Sequence, residues 1–308
     1  MKRILALSPD LSIKGFVNIR PDAQFTFPGG ERHVDISSYL PSGSPARLKA
    51  YVSSRLETSD DLMDLLLAVD ALQRRYVGIR IAAYLPYIPY GRQDRYQEIG
   101  TPFSLAVAAQ LINSCNFASV HTLDPHSRVT RELIKNLRVM PIDPFYMLAI
   151  DNLSYEWDES KGIYIFNEDV PVFVAPDEGA ATKLPPRYLV DDGEDCSVIY
   201  AKKTRDPLSG MVTPRLDDLV WTYGSTRPAL IIDDICDGGA SFTTLARALK
   251  AAGAPRVYLF VTHGIFSKGL QPLRDAGIDR VFTTNSRSFV PSTDEDQKFL
   301  SIYRIAKG

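Results

Sequence analysis

Apolar residues along the chain fall into two alternating patterns. Short, nearly continuous apolar runs are typical of buried strands, and they cover residues 79–87, 118–123, 162–166, 170–176, 197–201, 228–233 and 256–262. Stretches with apolar residues at helical spacing lie between these runs, at 60–76, 104–115, 128–137 and 241–253. This alternation predicts an α/β protein with mostly parallel sheets and helices on both faces.

The predicted helix over residues 60–76 shows the helical pattern clearly. Its apolar residues form one stripe, with aspartates and arginines elsewhere: Leu62, Leu65, Leu66, Val69 and Leu72. Such a stripe is typical of a helix packed against a core. We therefore expect it to be structural and not part of a binding site.

The polar segment at residues 150–160 interrupts the pattern near the middle of the chain. A length of 308 residues suits two domains of average size. We therefore predict one domain at residues 1–152 and a second at 153–308. In both halves apolar strands run into polar turns of the kind that bind ligands, which predicts two similar lobes.

Composition narrows the class of protein. A hydrophobic fraction of 45% supports real cores, and a formal net charge of -2 gives no electrostatic reason to expect nucleic acid as a partner. Cys115, Cys196 and Cys236 lack the spacing of a metal or disulfide motif, which indicates a reducing compartment. No apolar run has the length of a membrane span or a signal peptide. We expect a cytoplasmic protein that binds neither nucleic acid nor membrane.

Residues 230–242, LIIDDICDGGASF, carry the clearest chemistry. An apolar strand runs into Asp233 and Asp234, whose carboxylates can accept hydrogen bonds from the vicinal hydroxyls of a sugar. The glycines and Ser241 then open a helix whose first amides can cradle a phosphate. The segment predicts a phosphorylated ribose as ligand. The alternative is a simple helix cap, with Asp237 as the N-cap residue.

Two loops in the first half follow strands and carry polar side chains. Arg92 and Arg95 lie on a loop stiffened by two prolines and suit polyphosphate, because guanidinium binds phosphate oxygens bidentately. The alternative is a solvated turn with an arginine–aspartate pair. His126, with Asp124, follows the next strand and suits a phosphate or a Mg²⁺–phosphate group, although a single histidine is more often structural and Mg²⁺ prefers oxygen ligands.

Two loops in the second half repeat this logic. Residues 174–183 pass from a strand to Asp177 and Glu178, then to small residues and Lys183. Backbone amides there can approach a diphosphate closely, or the segment is an ordinary helix start. The cations of residues 200–206 end another strand. They predict either a solvated loop or a mobile basic loop that closes over a phosphorylated substrate.

Seven segments, taken in order, resemble the ribose-phosphate diphosphokinase family, which makes phosphoribosyl diphosphate (PRPP). They are TSDDLMDLLLAVDALQR, PYIPYGRQDR, TLDPHS, VAPDEGA, KTRD, DDICDGGAS and THGIFSKG, and the resemblance covers about residues 58–290. It implies two phosphoribosyltransferase-like lobes, each a mostly parallel sheet flanked by helices. It also implies transfer of the β,γ-diphosphate of ATP to the anomeric hydroxyl of ribose 5-phosphate, giving PRPP and AMP. Mg²⁺ is the implied cofactor and a homo-oligomer the implied assembly.

The resemblance also implies a role for individual residues. Lys203 and Arg205 match the catalytic cations of the basic loop, and His126 and Asp177 match the metal ligands. The implied binding positions are Phe27, Glu31, Arg92, Gln93 and His126 for ATP; Asp177, Glu178, Gly179 and Lys183 for diphosphate; and Asp233, Asp234, Asp237, Gly238, Gly239, Ala240 and Ser241 for ribose phosphate.

The chain departs from the family pattern in places that bear on the acceptor and on assembly. The ribose-phosphate loop, usually Asp-Thr-x-Gly-Thr, here reads DGGAS from Asp237 to Ser241, which alters the grip on a terminal phosphate. Gly29 stands where the adenine-binding hairpin usually has Asn or Asp. An early helix before residue 25 is missing or compressed, and the C-terminal helix looks truncated after residues 299–303.

Three hypotheses compete with PRPP synthesis. The same transfer to a 5-substituted ribose, such as ADP-ribose, is favoured by the altered loop and the reduced N-terminus. A catalytically silent regulatory homologue is disfavoured because Lys203, Arg205 and Asp177 are retained. A phosphoribosyltransferase that consumes PRPP shares the DDICDGGAS type of loop, but it does not account for PYIPYGRQDR.

Overall fold

The chain folds into two compact units. The structure, a computed structural model, describes residues 3–6, 16–18, 23–39, 49–158, 163–166, 171–181, 198–200, 202–205, 212–215 and 227–305. The first unit comprises Met1–Pro141 with Arg304–Gly308, and the second comprises Ile142–Tyr303. Each unit contains its own six-stranded parallel sheet, as the alternation of strands and helices predicted.

The first unit is a parallel sheet with helices and one hairpin. Its sheet has the order β2-β1-β5-β6-β7-β8. The strands are β1 (Arg3–Ala6), β2 (Phe16–Asn18), β5 (Lys49–Ser53), β6 (Arg80–Tyr84), β7 (Ser119–Leu123) and β8 (Leu137–Met140). Strands β3 (Gln24–Thr26) and β4 (Arg32–Val34) form an antiparallel hairpin. The helices are α1 (Ser59–Arg75), α2 (Ser104–Ser114) and α3 (Arg128–Leu133), and Ser37–Tyr39 form a 3-10 turn.

Helix α1 forms for the reasons that its sequence suggests. Thr58 caps its start by accepting a hydrogen bond from the amide of Asp61, whose carboxylate accepts one from the Thr58 amide in return. Four members of the apolar stripe are buried in the core of the first unit, namely Leu62, Leu65, Val69 and Leu72. The structural role predicted for this stripe is therefore confirmed.

The second unit repeats the plan. Its sheet has the order β12-β11-β15-β16-β17-β18, and all its strands are parallel. The strands are β11 (Val172–Ala175), β12 (Val198–Tyr200), β15 (Ala229–Cys236), β16 (Val257–Gly264), β17 (Arg280–Thr284) and β18 (Leu300–Tyr303). The helices are α4 (Asp143–Ser154), α5 (Glu178–Ala181), α6 (Ala240–Ala251), α7 (Gln271–Asp275) and α8 (Asp294–Phe299). Two antiparallel pairs stand apart from the sheet, β9 (Tyr155–Asp158) with β10 (Ile163–Phe166) and β13 (Lys202–Arg205) with β14 (Val212–Arg215).

Both sheets share one strand order, with a point at which the order reverses. In the first unit the chain leaves β1 for the edge strand β2, and later strands add on the other side of β1, starting with β5. In the second unit β12 lies on one side of β11, and β15 and its successors lie on the other. Ligands of open α/β sheets bind at the carboxyl ends of the strands that flank such a reversal. We call these places the β1/β5 switch point and the β11/β15 switch point.

One local prediction is wrong. The helix predicted over 128–137 ends at Leu133, because the side chain of Asn113 donates to the Leu133 carbonyl and accepts from the Lys135 amide, which replaces the next helical bonds. The truncation of the C-terminal helix after residues 299–303 stays a prediction. Residues 300–303 do not continue α8. They form β18, where the Tyr303 ring stacks on Phe282 of the neighbouring strand.

The polar segment near residue 150 is more structured than its composition suggests. It contains the end of α4 and the strand β9. The two compact units divide between Pro141 and Ile142, because Tyr146 on α4 is fully buried with its ring against Phe260 of β16. The domain limits at 152 and 153 stay a prediction, since compact units and domains need not end at the same residue.

Candidate functional site

The predicted ribose-phosphate residues lie at the β11/β15 switch point. Asp233 and Asp234 are near the carboxyl end of β15, and the turn from Asp237 to Gly239 leads into α6. Neighbouring residues of a strand point to opposite faces, and accordingly Asp233 is half-buried while Asp234 is only 3% exposed. Asp233 Oδ1 accepts a hydrogen bond from the Asp234 amide at 2.8 Å. Asp233 is thus the more accessible of the two carboxylates.

The turn before α6 needs a glycine. Gly239 is the N-cap residue in the left-handed region, with φ 76°, and a Cβ there would lie 3.1 Å from Leu273 Cδ2. The alternative in which Asp237 is the N-cap residue is therefore wrong. Gly239 has no side chain to cap the helix, and the first turn of α6 carries no acidic residue. A helix start of this kind presents amides and a positive dipole end to an anion.

The predicted diphosphate loop follows β11, on the other side of the same switch point. Asp177 Oδ1 accepts a hydrogen bond from the Ala180 amide at 2.8 Å, so the carboxylate caps the short helix α5. The ordinary helix start, which the sequence left open, is therefore present. Gly179 lies within this turn, and Glu178 begins α5. Lys183 lies outside the described residues.

The basic segment, for which the sequence left open a solvated loop or a mobile basic loop, contains a strand. Lys203 and Arg205 lie in β13, which pairs with β14 in the register Lys203–Pro214 and Arg205–Val212. A hairpin holds its backbone through ladder hydrogen bonds. Lys203 and Arg205 are therefore positions on a two-stranded ribbon.

In the first unit the structure brings two of the predicted ATP-binding loops together. A Cβ on Gly91 would lie 3.5 Å from the Cβ of His126, so the loop after β6 touches the loop after β7. Pro86 joins them further, because its carbonyl accepts a hydrogen bond from the Leu123 amide at 3.1 Å. Arg92, Gln93 and His126 are all exposed. These three residues form one exposed polar surface.

A buried carboxylate lies beneath this surface. Asp94 is 9% exposed and accepts a hydrogen bond from Arg95 Nε at 3.1 Å. Burial by itself raises the pKa of Asp94, but the Ser127 hydroxyl and the Arg95 guanidinium outweigh it, so the pKa lies below its ordinary value. Asp94 is therefore ionised at neutral pH. The arginine–aspartate pair that the sequence left open is present in this form.

The hairpin β3–β4 carries an exposed aromatic cluster. The rings of Phe25, Phe27 and His33 touch one another, with centroids 5.0 to 5.4 Å apart. Phe25 is 37% exposed and Phe27 is 44% exposed. The turn at Gly30 has φ 95°, and Glu31 is exposed. Exposed rings of this kind can stack on a planar base.

A buried ion pair fastens the hairpin to α1. Asp64, only 2% exposed, accepts hydrogen bonds from Gln24 Nε2 at 3.0 Å and from Arg32 Nε at 2.9 Å. A second bond joins Arg32 Nη2 to the other carboxylate oxygen. This bidentate contact raises the pKa of Arg32.

Sequence reasoning missed several residues of these surfaces. Phe25, His33, Arg32 and Asp64 were not predicted as site residues. The alternation of Phe25 with Phe27 was a visible signal, because residues two apart in an extended segment point to the same side. The sequence signal for Asp64 was weaker. This acidic residue lies between the apolar positions Leu62 and Leu65, and a carboxylate that is buried there needs a partner.

The residue types at Asp177 and His126 suit a magnesium ion that is bound together with the phosphates of a substrate. In the parts of the chain that the structure describes, no three His, Cys, Asp or Glu side chains come together as a metal-binding cluster. Mg²⁺ commonly keeps its waters and binds through one or two carboxylates and the phosphates of a substrate. The carboxylate of Asp177 fits that description, and His126 suits a phosphate contact better than a magnesium contact.

Among the helices of the described residues, none is both long and apolar enough to cross a bilayer.

The candidate binding residues lie on polar loops at the ends of parallel strands. Those of the second unit suit phosphate and sugar hydroxyls, and those of the first suit a base and phosphates.

Two family models match separate parts of the chain. The N-terminal domain of ribose phosphate pyrophosphokinase matches residues 26–115, which include β4 of the hairpin, α1 and the loop after β6. The phosphoribosyl synthetase-associated domain matches residues 214–299, which include β15, the turn before α6 and β16.

Curated relatives cover most of the chain. The ribose-phosphate pyrophosphokinase of Shewanella oneidensis is 30% identical over 253 residues, which are 80% of this chain and 72% of the relative. The enzyme of the same name from Buchnera aphidicola is 28% identical over 277 residues, 86% of this chain and 78% of the relative. That of Vibrio parahaemolyticus is 29% identical over 233 residues, 75% of this chain and 68% of the relative.

A solved structure shares the fold. The crystal structure of phosphoribosylpyrophosphate synthetase from Mycobacterium smegmatis aligns with a TM-score of 0.72 and 21% sequence identity, over 98% of this chain and 94% of the other.

Proposed function

The chain belongs to the ribose-phosphate pyrophosphokinase family, and from that premise we propose that it transfers the β,γ-diphosphate of ATP to the anomeric hydroxyl of ribose 5-phosphate. The products are PRPP and AMP. The observation that carries this proposal is the pair of carboxylate and glycine loops on both sides of the β11/β15 switch point. Such a point is where an open α/β sheet binds its ligand.

The proposed reaction is a single displacement at phosphorus. The anomeric oxygen attacks the β-phosphorus of ATP, and the bond from that phosphorus to the oxygen bridging the α and β positions breaks. AMP leaves with the bridging oxygen, and the anomeric hydroxyl loses its proton to water. No covalent enzyme intermediate is needed, so the protein contributes alignment and charge neutralisation.

In the second unit we assign the acceptor and the diphosphate to the two loops of the switch point. Asp233 accepts hydrogen bonds from the ribose hydroxyls, because it is the more accessible carboxylate at the end of β15. The amides at the start of α6 bind the 5-phosphate. The Asp177 turn receives the diphosphate. Lys203 and Arg205 neutralise charge that develops on the transferred oxygens.

In the first unit we assign ATP to the hairpin and the exposed polar surface. The adenine stacks on Phe27 with Phe25 beside it, while Arg92, Gln93 and His126 contact the phosphates. The exposure of the aromatic cluster on a well-anchored hairpin supports this assignment.

Magnesium is the proposed cofactor. When bound with ATP, it would supply neutralisation of the phosphate charge. Asp177 is the carboxylate that we propose for this ion, with His126 at the phosphates.

A second acceptor is favoured by one observation. Ala240 and Ser241, at the start of α6, are exposed, so the phosphate loop is open toward solvent at this end. An open rim suits a ribose whose 5-substituent continues beyond one phosphate, and ADP-ribose is the example to test.

The test incubates the protein with ATP, Mg²⁺ and either ribose 5-phosphate or ADP-ribose, with mass spectrometry of the products. We expect AMP together with a diphosphorylated acceptor. A product from ADP-ribose alone contradicts the assignment of ribose 5-phosphate. Absence of AMP with both acceptors contradicts diphosphoryl transfer and leaves the regulatory homologue.

Lys203→Ala should lower the turnover number by at least ~10²-fold, because the loss of one charge contact in the transition state typically has an effect of that size. Steady-state kinetics of AMP release measure it. Lys298→Ala, at an exposed lysine of α8, is the matched control and should behave like wild type. Turnover of Lys203→Ala within a few-fold of wild type rejects the catalytic role.

We further propose a homo-oligomer as the working form, in line with the family resemblance. Light scattering coupled to gel filtration tests it, and a monomer at the assay concentration contradicts it.

A further inference from the structure

The side chain of Lys268 lies beside Gly238, in the turn that leads into α6. A Cβ built on Gly238 would meet three atoms of one lysine, Cε at 3.5 Å, Cδ at 3.7 Å and Cγ at 4.0 Å. These are ordinary van der Waals distances. The aliphatic part of Lys268 therefore lies against Gly238. The nearest of these atoms, Cε, is bonded to the ammonium nitrogen.

The position of Lys268 is fixed by the turn that carries it. The amides of Ile265 and Phe266 donate to the Cys236 carbonyl at 2.8 and 3.1 Å, and the Ser267 amide donates to the Asp237 carbonyl at 3.2 Å. The segment after β16 is thus hydrogen-bonded to the segment that leads into the phosphate loop. These backbone hydrogen bonds hold the turn that contains Lys268 next to Gly238.

Packing makes this turn rigid. Phe266 is 3% exposed, and its ring lies against Gly264 so closely that the glycine has no room for a Cβ. The ring also packs edge-on against Phe289. Phe266 and Gly269 both have positive φ, 49° and 69°, which closes the turn tightly around Lys268.

The charge of Lys268 is directed to solvent at the loop. Lys268 is exposed, and within the described parts of the chain it forms no ion pair. By contrast, Lys250 on α6 is paired with Asp279 at 2.8 Å. A lysine beside a turn of backbone amides adds a full positive charge to an anion site whose other donors are neutral.

We propose that Lys268 is an acceptor-binding residue, whose ammonium contacts the phosphate on the 5-oxygen of the ribose in place of the hydroxyl lost at position 238. The inference rests on the proposed function, because it takes the turn before α6 as the acceptor loop. The ligand chemistry is a phosphate ester of ribose, and ribose 5-phosphate and ADP-ribose both supply it.

Lys268→Met tests the contact because it keeps the aliphatic part against Gly238 and removes the charge. We expect the KM for the acceptor to rise about 10- to 100-fold, as loss of one charge-assisted hydrogen bond predicts. The KM for ATP should stay within about two-fold of wild type. Lys268→Arg should restore most of the acceptor affinity, and Lys298→Met on α8 should match wild type.

Both acceptors are titrated, and a rise in KM for either supports the contact and identifies the acceptor that makes it. An unchanged KM for both, or an equal rise for ATP, overturns the inference. Calorimetric titration of each acceptor in the presence of Mg²⁺ and α,β-methylene ATP gives a second measurement that needs no turnover. Loss of acceptor binding in Lys268→Met then supports the contact even if AMP release, and with it the proposed function, fails. No effect there overturns the contact alone.

Gly238→Thr supplies the matched exchange. The backbone of Gly238 is not in the positive-φ region, and a Cβ there meets Lys268 only at ordinary contact distances, so a side chain is expected to fit. In the Lys268→Met background it should recover part of the acceptor affinity, while in wild type it should add little because the Lys268 ammonium already contacts the phosphate. Strictly additive effects of the two changes contradict the exchange of one contact for the other.

Discussion

The two units share one strand order, and their candidate binding loops lie at different places on it. In the second unit these loops follow β11 and β15, the strands that flank the switch point. In the first unit they follow β6 and β7, to one side of the β1/β5 switch point, and the hairpin β3–β4 supplies the rest. The two sheets therefore have the same strand order, but their candidate binding loops follow different strands of that order.

The turn before α6 and the hairpin β3–β4 also differ in the interactions that fix their positions. The turn before α6 is fixed by backbone hydrogen bonds from the 265–267 segment and by the left-handed glycine at 239. The hairpin is fixed by side chains, through Asp64 with Arg32 and Gln24. A site built from main-chain amides depends on the exact conformation of the backbone. An exposed hairpin depends instead on side-chain contacts that attach it to the rest of the unit. Variants that remove one support at a time can separate these two modes.

Asp64→Ala should have the largest effect. It leaves the mostly buried guanidinium of Arg32 without its carboxylate, which should lower the free energy of unfolding by about 3 kcal/mol. If the hairpin holds the adenine, the KM for ATP should rise as well. Chemical denaturation and steady-state kinetics measure the two effects.

Asp70→Ala is the control on the same helix, because the Asp70–Arg74 pair is exposed on both sides. It should leave stability and kinetics almost unchanged. Equal effects of the two variants would show that the buried anchor has no special role, and an unchanged KM for ATP in Asp64→Ala would separate the hairpin from nucleotide binding.

Gly239→Ala should have a smaller effect on stability, about 2 kcal/mol, because an alanine is strained at φ 76° and meets Leu273. It should also weaken acceptor binding by displacing the amides at the start of α6. Gly253→Ala at the other end of α6 is the control. Its φ is 99° with nothing near a Cβ, so only the backbone strain of about 1 kcal/mol remains. Acceptor binding that falls equally in both variants contradicts a special role for the first turn.

A half-buried histidine of the first sheet should give the smallest effect. Burial lowers the pKa of His121 in β7, and Arg138 on the neighbouring strand lowers it further. The unfolded chain therefore binds the proton more tightly, so stability should fall as pH drops below the ordinary histidine value of about 6.5. Above that value both states are neutral and the histidine contributes no pH dependence.

Denaturation at pH 7.5 and pH 5.5 measures this effect. We expect His121→Gln to lose less stability over this interval than wild type, because it removes the group that resists protonation. His33→Gln, at an exposed histidine, should follow wild type. An identical pH dependence in wild type and His121→Gln rejects the contribution of His121.

Much of the fold could be predicted from local patterns. The apolar runs correctly indicated the strands β6, β7, β11, β12, β15 and β16, and the helical stripes indicated α1, α2 and α6. The error in the helix predicted over 128–137 arose where a distant residue intervened. The side chain of Asn113, on α2, ends α3 at Leu133. Asn113 lies outside the stretch whose apolar spacing predicted the helix.

The sequence by itself determined the α/β class, the order of the elements and the polar loops at strand ends, because hydrophobic period and turn chemistry are properties of neighbouring residues. The tertiary structure alone decided which loops meet at a switch point, which carboxylate is buried as an anchor, and which lysine lies beside Gly238. These depend on contacts between residues far apart in the chain. The segment from Asp233 to Ser241 was thus recognisable from sequence, but its cationic neighbour Lys268 was not.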